Sequence, residues 1–143
     1  MRVVVVEGTP SLMDALVRAL TERGIEVAGT ASGHRDGLSE VARLSPDVVV
    51  VDIHLPPGHT DEGMGVAQAI GAGHPGVGLL VLSSRAETGY VHGVVGLRPS
   101  GGVGYVLKER LGDPDAFVRT LRRVQAGETV IDPLVPWPGD SSG

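Results

Sequence analysis

Apolar and polar positions follow two rhythms along this chain. Residues 3–6 form a short continuous apolar run closed by Glu7, which predicts a strand buried on both faces. Thr9-Pro10 predicts a helix start, an N-cap with proline at the first helical position. Leu12, Met13, Leu16, Val17 and Leu20 follow at helical spacing, and Gly24 closes the helix. Residues 25–31 predict a second, more polar strand, and Leu38, Val41, Ala42 and Leu44 a short second helix. After a turn at Pro46-Asp47, residues 48–51 are the most apolar strand and end at Asp52. A long loop, residues 53–62, carries Pro56, Pro57 and Gly58. A thin third helix is expected over about residues 63–70, and a fourth strand over 77–82, ending at Ser83.

The second half repeats the rhythm less cleanly. A fourth helix near residues 89–97 is interrupted by Gly89, Gly93 and Gly96. Each interior glycine costs about 1 kcal/mol of helix stability relative to alanine, so low local stability is expected there. Residues 103–107 predict a fifth strand ending at Lys108. Asp113-Pro114 starts a fifth helix whose inward stripe is Phe117, Val118, Leu121 and Val124, closed by Gly127. The domain is expected to span residues 1–132. Residues 133–143, with Pro133, Pro136, Pro138 and a final Gly-Asp-Ser-Ser-Gly, read as a linker or disordered tail.

Five strand–helix units with short hydrophobic strands require a parallel sheet covered on both faces. Doubly wound sheets of this kind place ligands outside the C-terminal strand ends, at the topological switch point. The residues there are Glu7, Asp52, Ser83 and Lys108.

Composition narrows the picture. The 143 residues, 22 of them glycine and 10 proline, fall short of low-complexity composition and suffice for one core without metal or disulfide staples. That core must be aliphatic, because Tyr90, Tyr105, Phe117 and Trp137 are the aromatic residues. Cysteine is absent, which excludes a disulfide framework, a thiolate zinc site and a cysteine nucleophile. No apolar run reaches the ~18 residues of a membrane span, and the N-terminal run is too short for a signal-peptide core. No membrane partner and a cytoplasmic location are therefore expected. A net charge of −5 without a basic stretch argues against direct nucleic-acid binding by this chain. Neither Gly-x-Gly-x-x-Gly nor Gly-x-x-x-x-Gly-Lys follows the first strand, so a dinucleotide or P-loop enzyme is unsupported.

The strand-end residues form a coherent chemical set. Two carboxylates held together repel, and a hard divalent cation such as Mg²⁺, which prefers oxygen ligands, relieves the repulsion. Lys108 adds a mobile cation and Ser83 a hydroxyl donor. These are the parts for phosphoryl transfer to a carboxylate: Asp52 as nucleophile, Glu7 for metal support, Lys108 and Ser83 for stabilising the equatorial oxygens. Taken singly, each has a plainer reading. Asp52 and Glu7 serve as strand-terminal acids, Lys108 as a surface lysine and Tyr105 as a half-buried strand aromatic. His54 and His59 flank the site, but the oxygen-rich surroundings disfavour a histidine metal centre.

Three segments resemble the receiver domain of two-component response regulators, specifically the NarL/FixJ (LuxR-type) branch. They are Pro46-Asp47-Val48-Val49-Val50-Val51-Asp52-Ile53-His54-Leu55-Pro56-Pro57, Leu80-Val81-Leu82-Ser83 and Gly104-Tyr105-Val106-Leu107-Lys108. The loop Pro57-Gly58-His59-Thr60-Asp61-Glu62-Gly63 resembles a version common in actinobacterial members. The resemblance implies a flavodoxin-like (CheY-like) α/β sandwich with a five-stranded parallel sheet of order 2-1-3-4-5 and five helices. It implies that Asp52 is the phosphoacceptor for a sensor histidine kinase, that Lys108 contacts the phosphoryl group, and that Ser83 and Tyr105 form a switch pair. The backbone carbonyl of His54 would join Glu7 and Asp52 as a Mg²⁺ ligand, and the fourth helix and fifth strand would form the output surface. No enzymatic activity is implied beyond slow autodephosphorylation. Further implications are homodimerisation and transcription control through a C-terminal DNA-binding domain that lies outside these residues.

One departure bears on function. The family usually has two adjacent acids after the first strand, and here the pair is Glu7-Gly8. Either Glu7, one methylene longer than aspartate, reaches the metal and leaves a weakened but working site, or the receiver works without phosphorylation, regulated by a ligand or by assembly. Asp61 or Glu62 is a candidate substitute carboxylate. A bound metal, or Glu7 poised towards Asp52, favours the first reading, and Lys108 paired directly to Asp52 with no room for a cation favours the second. A distant alternative is a cobalamin-type binding domain, because Asp52-x-His54 precedes Gly58, though the glycine comes one position late and after the wrong strand.

Overall fold

The computed structural model describes residues 1–54, 62–84, 88–97 and 101–135. The segment 55–61 with His59 and Asp61, the Glu62 side chain and residues 136–143 lie outside the described residues. In chain order the elements are β1 (Arg2–Val6), α1 (Pro10–Thr21), β2 (Glu26–Ala31), α2 (His34–Leu44), β3 (Val48–Asp52) and α3 (Glu62–Gly73). Then come β4 (Gly78–Ser83), α4 (Thr88–Leu97), β5 (Val103–Leu107), a 3-10 turn (Lys108–Gly112), α5 (Pro114–Gln125) and β6 (Thr129–Ile131).

All strand pairs are parallel, in the order β2-β1-β3-β4-β5-β6. The three-layer sandwich and the order 2-1-3-4-5 expected for strands one to five are present, and the sheet carries one strand more than expected. Thr129–Ile131 adds to the edge of β5, with Tyr105 in register with Ile131. Gly127, at φ +95°, lets the chain turn back from α5 into this strand. Three residues are too few to betray themselves by alternation. The fold also continues past the boundary expected at residue 132, because Val135 packs into the core at 5% exposure.

Strand alternation sorts the core into two layers. Val4, Val6, Val49, Val51, Leu79, Val81 and Tyr105 face α2, α3 and α4. Val3, Val5, Val48, Val50, Leu80, Leu82 and Val106 face α1 and α5, meeting Leu16, Leu20, Phe117 and Leu121. The central strands are buried on both faces, which is why they read as unbroken valine runs.

Helix starts differ in their chemistry. Asp113 caps α5 as expected, its side chain accepting from the Ala116 N–H at 3.2 Å. Thr9 makes no such side-chain bond to α1, although Pro10 opens that helix. The Thr9 N–H instead donates to Glu7 Oε1 at 3.0 Å. The glycine-broken segment does form α4, with Val91 and Val94 buried. A Cβ on Gly93 would press on Met64 of α3, whereas Gly89 and Gly96 face open space.

Candidate functional site

The period of two that builds the core also builds the site. Glu7, Asp52 and Lys108 continue the α1/α5 face past the ends of β1, β3 and β5, while Ser83 and Tyr105 belong to the α2–α3–α4 face. The charged residues thus converge on one side of the sheet's C-terminal edge, and the two hydroxyl-bearing residues gather on the other. Ser83 and Tyr105 are both fully buried. Ser83 pairs with Leu107, two residues along from Tyr105.

Asp52 is 1% exposed and its two oxygens are engaged. Oδ1 accepts from the His54 N–H at 3.0 Å, and Oδ2 pairs with Lys108 Nζ at 2.5 Å. Glu7, also buried, lies against the same carboxylate. Its Oε1 is satisfied by Thr9, but Oε2 is buried with no hydrogen-bond partner. Two ionised carboxylates are both acceptors, so Glu7 bonds Asp52 only when a proton lies between them. Burial first, then the Asp52 carboxylate, push Glu7 up to about 7; the Thr9 N–H and Lys108 oppose this less strongly. Among the described residues one lysine therefore serves two acids, one positive charge short of balance.

Backbone packing holds Asp52 in place. Ile53 N–H donates to Leu82 O at 3.0 Å, and Gly63 N–H at the start of α3 donates to Ile53 O at 2.7 Å. A Cβ at Gly63 would collide with the Asp52 carbonyl oxygen, so only glycine lets α3 approach this closely. Sequence reasoning passed over Gly63, although a glycine closing a loop after a candidate site is a usable signal. It also passed over Arg110 and Asp132, which form a bidentate pair at 2.7 and 2.9 Å beneath the turn that begins at Lys108. The alternation that places Lys108 says nothing about a residue arriving on an unforeseen sixth strand.

The described histidine side chains take no part in the contacts of Glu7, Asp52 and Lys108 given above. The His54 ring meets Tyr90 edge-on at 6.2 Å, His34 and His92 are exposed, and His74 is half-buried. Among the described residues no group of three or more His, Cys, Asp or Glu side chains could hold a metal ion. Also among the described residues, no helix is long and apolar enough to cross a membrane.

The fold is thus a six-stranded parallel α/β sandwich with two acids and a lysine at the C-terminal ends of its strands. Over residues 3–121 the chain matches the response regulator receiver domain family, and it belongs to that family. It is similar to protein-glutamate methylesterase/protein-glutamine glutaminase 6 of Anaeromyxobacter dehalogenans, 35% identical over 142 residues that cover 92% of this chain and 39% of that protein. It is similar to oxygen regulatory protein NreC of Staphylococcus epidermidis, 30% identical over 112 residues covering 78% of this chain and 48% of that protein. The chain thus spans less than half the length of either relative. The fold is shared with a DNA-binding response regulator of the LuxR family from Staphylococcus aureus, at TM-score 0.74 and 23% identity, covering 87% of this chain and 98% of that one. Receiver domains are regulatory, and they generally bind Mg²⁺ in their acidic pocket. The donor set here fits such an ion: two carboxylates, one with an unpartnered buried oxygen, suit a hard cation that keeps several of its waters.

Proposed function

We propose that this domain is a phosphoacceptor: Asp52 takes a phosphoryl group from a sensor histidine kinase, and the resulting shift in α4 and β5 is read by an effector. The observation that carries the reading is the buried Glu7 Oε2 without a partner beside the Lys108–Asp52 pair. A structural ion pair has no use for a second, unsatisfied acid, whereas phosphoryl transfer needs a cation there. Glu7, Asp52 and the His54 carbonyl would hold Mg²⁺, which supplies charge neutralisation when bound. Binding would be weak, because Gly8 offers no carboxylate.

Asp52 attacks phosphorus as its bond to the donor breaks, and the acyl phosphate stays on Oδ. Lys108 leaves its pairing with the carboxylate and contacts the phosphoryl oxygens. Ser83, entering from the opposite face of the sheet, closes on the phosphoryl group, and Tyr105 follows as its switch partner. The domain is not itself an enzyme beyond slow loss of its own phosphoryl group. Residues 1–132 form the receiver, with Val135 still packed against its core, and the residues beyond lead into a linker. The domain belongs to the LuxR-type branch and works in the cytoplasm. Homodimerisation and a C-terminal DNA-binding domain complete its output, as the NreC and LuxR-family likenesses suggest.

A second reading keeps one supporting observation. Lys108 already neutralises Asp52 directly, as expected of a receiver that works without phosphorylation. Titration with Mg²⁺ and beryllofluoride, followed by backbone NMR, separates the two. Saturable shifts around Ser83 and Tyr105 that disappear in Asp52→Asn support the phosphoacceptor. Unchanged spectra at millimolar Mg²⁺ would leave the phosphorylation-independent reading.

A further inference from the structure

Asp132 stands directly after β6, is 2% exposed, and is bonded on every side. Its N–H donates to Tyr105 O at 2.8 Å, and its carbonyl accepts from Val135 N–H at 2.9 Å. Oδ2 accepts from the Leu107 N–H at 3.1 Å and Arg110 Nε at 2.9 Å. Oδ1 accepts from Arg110 Nη2 at 2.7 Å and the Leu134 N–H at 3.0 Å. Burial alone would raise this carboxyl, but Arg110 and then the Leu134 and Leu107 N–H groups outweigh it and hold it below its ordinary value. The clamp is therefore charged at neutral pH.

The partners of Asp132 are not scattered. Leu107 immediately precedes Lys108, and Arg110 lies two residues beyond it in the same 3-10 turn. One carboxylate thus holds the chain on both sides of Lys108, at Leu107 and at Arg110. The other partners, Leu134 and Val135, belong to the chain leaving the domain. We propose that Asp132 is a positioning residue that couples the departing chain to Lys108, so that movement of Lys108 at the Asp52 site is passed through Arg110 and Leu107 to Leu134 and Val135. The route differs from the Ser83–Tyr105 pair, because it runs through the outer edge of the sheet.

Two features suit this role. A bidentate arginine–carboxylate fork tolerates little displacement, so a shift of the turn is transmitted rather than absorbed. A cleft of about 500 Å³, lined by Arg110, Arg119, Arg123, Asp132 and Pro133, gives the turn room to move on its outer side.

The proposal rests on the phosphoacceptor reading for its trigger, and the test separates the two. Amide exchange and the Lys108 ammonium resonance are followed by NMR in the 143-residue chain, with and without Mg²⁺ and beryllofluoride. In the wild type, beryllofluoride is expected to change exchange at Leu134 and Val135 by about fivefold or more. Arg110→Gln, which keeps the backbone bonds of Asp132, should abolish that response, move the Lys108 resonance and still bind beryllofluoride. Protection at buried Leu121 reports that the variant is folded. An unmoved Lys108 resonance in Arg110→Gln, or an undiminished response at Leu134 and Val135, would overturn the coupling. If the wild type binds no beryllofluoride, Asp52→Asn frees Lys108 without any phosphoryl mimic. Altered exchange at Leu134 and Val135 in that variant supports the coupling while the phosphoacceptor reading fails, and unaltered exchange overturns the coupling too.

Discussion

Asp52 and Asp132 sit on either side of the end of β5, both buried and both paired with a base, yet their surroundings differ in kind. Asp132 receives two N–H bonds from Arg110 and one each from the Leu107 and Leu134 main chain. Asp52 receives Lys108 and one main-chain N–H, and must also share its pocket with Glu7. Among the described residues, one carboxylate is fully answered by donors, and the other belongs to a pair one positive charge short of balance. A satisfied buried acid rigidifies its surroundings, whereas an under-compensated pair of acids favours an added cation. The contrast is the one expected if the proposed phosphoryl chemistry lies at Asp52 and the proposed coupling at Asp132.

The largest effect on stability is expected at the satisfied centre. Asp132→Ala should lower the unfolding free energy by about 2–4 kcal/mol in urea titrations, because Leu107 and Leu134 lose acceptors and Arg110 loses its partner. Asp52→Asn, although equally buried, should change stability by less than about 1 kcal/mol without metal, since losing the Lys108 pair is offset by relief of Glu7. Equal losses in the two variants would erase the contrast between the centres.

The next effect is a pH dependence confined to the under-compensated centre. Glu7 is raised from 4.5 to about 7, so the folded state holds its proton more tightly than the unfolded chain does. Its contribution is fully present below about pH 4.5 and is lost as pH rises through about 7. Urea midpoints of the wild type should therefore fall over that window, and Glu7→Gln should flatten the fall. Mg²⁺ should restore stability chiefly above about pH 7, where Glu7 is ionised, and do little for Glu7→Gln. The smallest effect separates the helix starts: Asp113→Ala should cost about 1 kcal/mol in thermal melts, and Thr9→Ala only a few tenths.

Much of this molecule can be read from residue order. Runs such as Val48–Asp52 announce doubly buried strands, and the parallel topology then brings Glu7, Asp52 and Lys108 together because their strands are neighbours or nearly so. What escapes such reading depends on three-dimensional approach. Gly63 matters because α3 comes within contact of the Asp52 carbonyl, a distance no local pattern encodes. Asp132 looks like the first residue of a polar, proline-rich tail until Thr129–Ile131 docks on β5 and buries it. Thr9 has the side chain of an N-cap, but its N–H is drawn to Glu7 and the hydroxyl leaves α1 uncapped.

The central claim is that Asp52 accepts a phosphoryl group although Gly8 supplies no acid. Incubation with acetyl phosphate and millimolar Mg²⁺, followed by intact mass spectrometry, tests it most directly. The account predicts that the wild-type chain gains the mass of one phosphoryl group, that Asp52→Asn gains none, and that Lys108→Ala gains it much more slowly. A wild-type chain whose mass does not change, or an adduct that persists in Asp52→Asn, would contradict it.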